Sequence, residues 1–441
     1  MKKHVLCIVF GVFCFSLIFA ASVSAKETEV KKWTFMVFIN ADNDLDEFGV
    51  IDIKEMERAG LSENVNVVAQ IDRFKLPARR YDVSGRHMNS TADDWGLKSR
   101  NAGELGEIDS GDFKELVKFV KWSVENYPAE NYMLTIWNHG AGWKKRSSGG
   151  SLKGISYDDE SNNHISTRDL GVSLTMIHGI LGKPLDVFGM DACLMQMLEV
   201  AYELKDSAKY VVASEETEPG DGWPYQLILE PLFKNPAMTP YELAKMIPQA
   251  YFQSYFNAHD DPVDSPYSRK SRPGLDKPQQ RIKSTTLSAI DCAYIDPFIS
   301  ALDELGAKLI EKVAQDRGEL QAMASAVASA QKFYVYDNVD IGDLVYYISQ
   351  NTKNAGIKES TDKLKMIYKK LVIENKITGD AKHDATGLAI YFPIENYEEN
   401  YSKLTFAHTC WDELIQLVLA AGPVFDPDQS NGGDGSWDDK K

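Results

Sequence analysis

Five short runs of this chain are β-rich and apolar on both faces, so as strands they must be covered on both sides. They are KWTFMVFIN (32–40), NVNVVAQID (64–72), NYMLTIW (131–137), PLDVFGM (184–190) and AKYVVA (208–213). Segments of helical spacing separate them: DLDEFGVIDIKEMERAG (44–60), SGDFKELVKFVKWSVENYP (110–128), TRDLGVSLTMIHGILG (167–182) and CLMQMLEVAYELKD (193–206). RRYDVSG (79–85) reads as a further strand. Strands buried on both sides and alternating with helices predict an α/β fold with a mostly parallel central sheet.

Beyond about residue 235 the pattern is more helical, in TPYELAKMIPQAYFQSYFNAH and IDPFISALDELGAKLIEKVAQ. RIKSTTLSAID and GLAIYFP are strand-like, so the region 236–420 is expected to complete the sheet and pack on it. Residues 259–280 are Pro-rich and polar and read as an exposed loop. Residues 421–441 form an acidic tail expected to be disordered.

The chain opens with MKKHVLCIVFGVFCFSLIFAASVSA: two lysines, an apolar core, and a Val23-Ser24-Ala25 ending. That pattern predicts a secretory signal peptide over 1–25, and the rival is a membrane anchor. Cleavage after Ala25 leaves about 415 residues, enough for one large core and a smaller second unit. The product is expected outside the cytoplasm, secreted or periplasmic or at the cell surface, with no stable membrane insertion. A net charge of −17 argues against a nucleic-acid partner. Past the signal only Cys193, Cys292 and Cys410 remain, an odd number that does not suit a disulfide framework.

In open α/β sheets functional groups collect beyond the carboxyl ends of the strands. One strand here ends in Asn138-His139-Gly140 and another in Asp191-Ala192-Cys193. Cys and His are the pair that thiol catalysis needs: a thiolate attacks a carbonyl, and the imidazole protonates the leaving amine. Gly140 and the Cys193 N–H would suit an oxyanion hole. A helix starting at Cys193 would supply that donor and lower the thiol pKa. The blander readings are a buried Cys used for packing and an Asp191 that caps the helix. Cys292 also follows a strand and an acid, Cys410 sits on a helical apolar face, and His164, His178 and His408 lack the strand-end context.

The segments NADNDLDEF, NAGELGEIDSGD, YMLTIWNHGAGW, MDACLMQMLEVAYEL and ASEETEPGDGWPY, in this order, with GLAIYFP further on, resemble the clostripain family of cysteine peptidases. That family belongs to the caspase-like group with caspases, gingipains and legumains. The resemblance implies a caspase-like α/β/α sandwich, with residues 26–235 as the catalytic domain. It implies a His139–Cys193 dyad with no third orienting residue. It also places Asp191, and less securely Asp221, in a pocket for the substrate's P1 side chain, and so cleavage of proteins or peptides after Arg or Lys. The basic, Gly/Ser-rich segment 144–163 would be a self-processing linker, with cleavage between Lys153 and Gly154 leaving associated light and heavy chains.

Asp42, Asp44 and Asp46 have the alternating spacing of a calcium loop, but position six is not Gly and position twelve is Ile53, not Glu. No cofactor or metal is expected to be required, and calcium is left open. Two other function classes remain at this point. One is a caspase-like binding protein without catalysis. The other is a metal hydrolase using His139, Cys193 and Asp191, which lacks a second clustered His or a Cys-x-x-Cys.

Overall fold

The computed structural model describes residues 30–83, 91–144, 153–260, 284–379 and 382–421. The signal stretch, the acidic tail, most of the 259–280 loop and residues 145–152 lie outside the described residues.

The strands in chain order are β1 (Lys31–Ala41), β2 (Val65–Arg73), β3 (Leu76–Asp82), β4 (Arg100–Gly106), β5 (Ala129–Trp137), β6 (Gly154–Asp158), β7 (Asn163–Ser166), β8 (Leu185–Asp191), β9 (Ala208–Ala213), β10 (Ser284–Asp291), β11 (Asn338–Asp340), β12 (Val372–Gly379) and β13 (Ala389–Tyr391). The helices are α1 (Asp46–Arg58), α2 (Phe113–Asn126), α3 (Thr167–Leu181), α4 (Leu198–Leu204), α5 (Tyr225–Lys234), α6 (Pro240–Asp260), α7 (Ile295–Gln315), α8 (Arg317–Ser329), α9 (Ile341–Asn351), α10 (Ala355–Leu371) and α11 (Cys410–Ala420).

Nine strands form one sheet in the order β12-β10-β9-β8-β5-β1-β2-β3-β4. The central run from β9 to β2 is parallel, and antiparallel strands flank it on both sides. The chain leaves β1 toward β2 on one side and returns to β5 on the other, so the strand order reverses beside β1 and β5. Such a reversal opens a crevice at the carboxyl ends of the strands.

β1 shows why the sheet has two covered faces. Met36 and Phe38 belong to one apolar cluster, with α2, α3, α4 and α7 to α11. Trp33, Phe35, Val37 and Ile39 belong to the other, with α1, α5 and α6. Each large side chain buried this way stabilises the fold by about 1.5–3 kcal/mol. The covering helices start and stop on local signals. Asp112 caps α2 by accepting the Lys114 N–H at 3.0 Å, Ser166 caps α3, and Gly182 at φ 67° ends α3.

Three features differ from the sequence reading. The strand β4 arises over RNAGELG, where none was foreseen, because β3 offers it an antiparallel edge. The 144–163 segment is not linker throughout: β6 lies in its second half and pairs with β7, which begins at its last residue. The segment 193–206 is not one helix. Residues 193–197 form a turn and an extended stretch in which Leu194 and Gln196 donate backbone bonds to Glu216 and Ser214, and α4 begins only at Leu198.

Candidate active site

β5 and β8 are neighbours, and their register pairs Trp137 with Asp191. His139 and Cys193 therefore each stand two residues beyond the same rung, at the same edge of the sheet. Cys292 is at the opposite edge. It follows β10, which runs antiparallel to β9 with Asp291 paired to Tyr210, near the start of β9. Cys292 is buried in the core, and Cys410 lies at the start of α11 with Sγ 3.1 Å from the carbonyl oxygen of Asp303 in α7. Neither joins the strand ends that carry His139.

Asn138 fixes the approach to His139. Its Nδ2 donates to the carbonyls of Asn40 at 2.5 Å and Tyr157 at 3.1 Å, and its Oδ1 accepts the Tyr157 N–H at 2.6 Å. The end of β5 is thereby tied to the end of β1 and to the β6 hairpin. The imidazole is accessible, and its Nε2 lies 2.7 Å from Asp44 Oδ1. Asp44 sits in the loop between β1 and α1, and it is a neighbour that the strand-end motif did not reveal.

Gly140 is compelled by packing. A Cβ there would stand 2.3 Å from the Cys193 carbonyl oxygen and 3.0 Å from Ala192 Cβ. The two strand-end loops touch backbone to backbone, and a side chain at 140 would part them. The next residue is held as well, since the Ala141 N–H donates to the Gly154 carbonyl at 3.0 Å.

Cys193 is half-buried, and its Sγ accepts the Glu218 N–H at 3.2 Å. It does not begin a helix, so the expected helix-dipole effect is absent. Leu194, the next residue, adopts the left-handed region at φ 63°, an uncommon conformation for a branched side chain that marks a tight turn just after Cys193. Burial pushes the Cys193 thiol up to about 12, with the charges of Glu218, Glu216 and Asp191 adding to it. This corrects the expectation of a lowered thiol pKa.

Asp191 does not cap α4 either, because the residue preceding α4 is Met197. Its Oδ2 accepts the Trp223 N–H at 3.0 Å and the Tyr225 hydroxyl at 2.9 Å. The loop bearing these donors turns at Gly222, φ 57°, where a Cβ would meet Asp191 Oδ1 at 2.9 Å. Asp221 is buried in that same turn. Glu218, given no role in the sequence reading although it lies within ASEETEPGDGWPY, places its carboxyl beside Asp191, and burial with that neighbouring charge holds it well above the usual carboxylate range. Glu216 is ion-paired with Lys382 at 3.0 Å. Acids thus gather around the thiol from two segments of chain.

Lys153 is the first described residue after 145–152. Its N–H donates to the Trp143 carbonyl at 3.1 Å, and its own carbonyl accepts from Thr167 N–H at 3.1 Å and Thr167 Oγ1 at 3.2 Å. The Lys153–Gly154 bond is therefore held at the base of the β6 hairpin.

A parallel-centred sheet of this strand order, covered by helices on both faces, is the caspase-like α/β/α class of fold. The clostripain family model matches residues 37–413, and the chain belongs to that family. Clostripain of Hathewaya histolytica is 29% identical over 231 residues, which are 47% of this chain and 44% of that protein. The match thus spans less than half of that relative. A secreted C11 cysteine protease from Bacteroides thetaiotaomicron, solved with an irreversible peptide inhibitor, superposes with a TM-score of 0.61 at 19% identity, covering 87% of this chain and 99% of that one. An inactive zymogen C11 protease from Parabacteroides distasonis gives 0.61 at 18% identity, covering 86% and 98%. Among the described residues no helix is long and apolar enough to cross a membrane.

Proposed function

We propose that this chain is a secreted cysteine endopeptidase that cleaves after Arg or Lys, with Cys193 as nucleophile and His139 as its proton partner. The observation that carries this reading is the placement of both groups two residues beyond the Trp137–Asp191 rung of adjacent parallel strands. Cys193 Sγ attacks the scissile carbonyl as a thiolate, its proton passing to His139. The resulting oxyanion is received by the N–H groups of Gly140 and Cys193, and the imidazolium protonates the leaving amine. Water, deprotonated by His139, then hydrolyses the thioester and restores the thiol.

The P1 preference is supported by the acids around the thiol. Asp191 and Glu218 crowd one another beside Cys193, with Asp221 in the adjoining turn. A guanidinium or ammonium entering there relieves like-charge repulsion, whereas an apolar or acidic side chain would not. Assays with fluorogenic peptides ending in Arg, Lys, Leu and Asp test this. Cleavage confined to the basic pair, and lost in Cys193→Ala, is expected; preference for Leu or Asp overturns the pocket assignment.

Self-processing between Lys153 and Gly154 belongs to the same reading, leaving light and heavy chains held together by the shared sheet. The bonds from Thr167 mean that the hairpin base opens for this cut. N-terminal sequencing of wild-type and Cys193→Ala protein checks it, and equal cutting of both without added enzyme contradicts it.

A further inference from the structure

The segment between α8 and β11 turns at a tip that carries two exposed tyrosines. The Asn338 N–H donates to the Val335 carbonyl at 2.8 Å and the Phe333 N–H to the Asn338 carbonyl at 3.2 Å, which closes the turn. Phe333 roots the tip in the core, whereas Tyr334 and Tyr336 are 54% and 59% exposed. Lys332 Nζ stands 5.5 Å from the centroid of the Tyr336 ring, a cation–π contact that helps to order it.

The tip is tied to both loops that carry the proposed dyad. The Tyr334 N–H donates to Glu216 Oε1 at 3.2 Å, and the carbonyl of the same Glu216 accepts the N–H of Leu194, next to Cys193, at 3.1 Å. On the other side Asp337 is ion-paired with Lys144, in the loop that follows His139, and the Asp337 carbonyl accepts the Phe392 N–H at 2.8 Å. The two dyad loops run against each other, since a Cβ at Gly142 would stand 3.1 Å from the Leu194 carbonyl oxygen. A single residue, Glu216, thus links the tip to the Cys193 turn. An extended peptide advances about 3.3–3.6 Å per residue, so with the P1 carbonyl at the thiol its residues about two to four places away reach the tip.

We propose that Tyr334 and Tyr336 form a second recognition surface for the substrate peptide, taking a large apolar side chain, aromatic above all, about two to four residues from P1. The inference rests on the peptidase reading and adds to it. The acids around Cys193 suit a charged P1 group and do nothing to sort the residues farther along the peptide. The tip sorts them by apolar contact and not by charge, because its flanking acids are already engaged, Asp337 by Lys144 and Glu216 by Lys382. Tyrosine suits this use: it offers a broad apolar face and has only two side-chain torsions to fix on contact. The anchors at Glu216 and Lys144 hold both rings at the crevice before substrate arrives, so little ordering is left to be done on binding.

The test uses quenched fluorogenic peptides with Lys at P1, Gly and Ser elsewhere, and one Phe moved through the positions on either side. The readout is the ratio of kcat/KM for the Phe peptide and its Gly counterpart within one protein, which a general loss of activity does not move. In the wild type Phe should be favoured by about tenfold at one or two positions away from P1, the scale of one aromatic contact. That preference should vanish in the Tyr334→Ala/Tyr336→Ala double variant and persist when both residues are replaced by Phe. Equal rates for Phe and Gly at every position in the wild type overturn the proposal, as does a preference that survives in the double alanine variant. If no peptide is cut, the peptidase reading fails, and binding of the same labelled peptides to Cys193→Ala protein, followed by fluorescence anisotropy, decides the surface. Tighter binding of a Phe peptide, lost when both tyrosines are replaced by Ala, supports it, and equal binding of Phe and Gly peptides overturns it.

Discussion

The imidazole of His139 is held through Nε2 by Asp44 Oδ1 at 2.7 Å, so a side chain two residues past the end of β5 is gripped by a carboxylate from the loop after β1. With Nε2 so engaged, Nδ1 is the nitrogen left for the thiol or the leaving amine. Replacing Asp44 with Ala or Asn should lower kcat by roughly ten- to a hundredfold, a part of the 10²–10⁴ that a positioned acid–base group provides. KM and Tm should hold, because the Asp44 side chain is 80% exposed and supports no core. Wild-type kcat in Asp44→Ala would reduce the contact to a surface ion pair of negligible worth.

Gly140→Ala tests the contact between the strand-end loops. The added methyl would stand 2.3 Å from the Cys193 carbonyl, and that carbonyl belongs to the turn that aims the thiol. A stability loss of about 1–3 kcal/mol is expected from overpacking, together with a fall in kcat. Denaturant unfolding and kinetics on the same preparation check both. An unchanged kcat would separate Gly140 from the reaction.

The thiol of the resting protein should be sluggish. Burial first, then nearby carboxylates, set Cys193 at about 12, against an ordinary value of 9.0. A raised folded-state value favours the protonated thiol. Its stabilising effect is present below about 9 and is lost as pH climbs toward about 12. Iodoacetamide labelling of Cys193 should therefore be slow at neutral pH and rise well into the alkaline range. Glu218→Gln should shift that rise to lower pH by removing a neighbouring charge. Fast labelling at neutral pH in the resting wild type would contradict this.

Asp191 holds a loop in place, and one substitution can separate that from its proposed part in the P1 pocket. It accepts from Trp223 N–H and Tyr225 Oη, which holds the covering loop. In the proposed pocket it also faces a basic P1 group. Asp191→Asn should cost about 1–3 kcal/mol in stability through weakened bonds. It should also lower kcat/KM for Arg and Lys substrates by about 2–3 kcal/mol. Asp221→Asn, farther along the turn, should lose less. A Tm change with no change in kcat/KM would leave Asp191 a structural residue alone.

These residues also mark what a linear reading reaches. β5 and β8 were legible because runs apolar on both faces have few other ways to fold, and their ends named His139 and Cys193. The start of α4 was not. CLMQMLEV has helical spacing, but backbone bonds from Leu194 and Gln196 to the 214–216 segment keep these residues out of a helix until Leu198. Asp44 sat in plain view within an acidic loop, yet its contact with His139 needs β1 and β5 to be neighbours. Glu218 likewise meets Asp191 only once the segment after β9 folds back over the end of β8.

The central claim is that Cys193 is a thiol nucleophile serving a basic P1 pocket. Peptide mapping by mass spectrometry after treatment with a lysyl or arginyl chloromethyl ketone tests it most directly. We predict one equivalent of adduct on Cys193, none on Cys292 or Cys410, and strong suppression in His139→Ala. The bound cation should make this labelling far faster than iodoacetamide labelling at the same neutral pH. Absence of adduct on Cys193, or peptide cleavage at full rate by Cys193→Ala protein, would contradict the account.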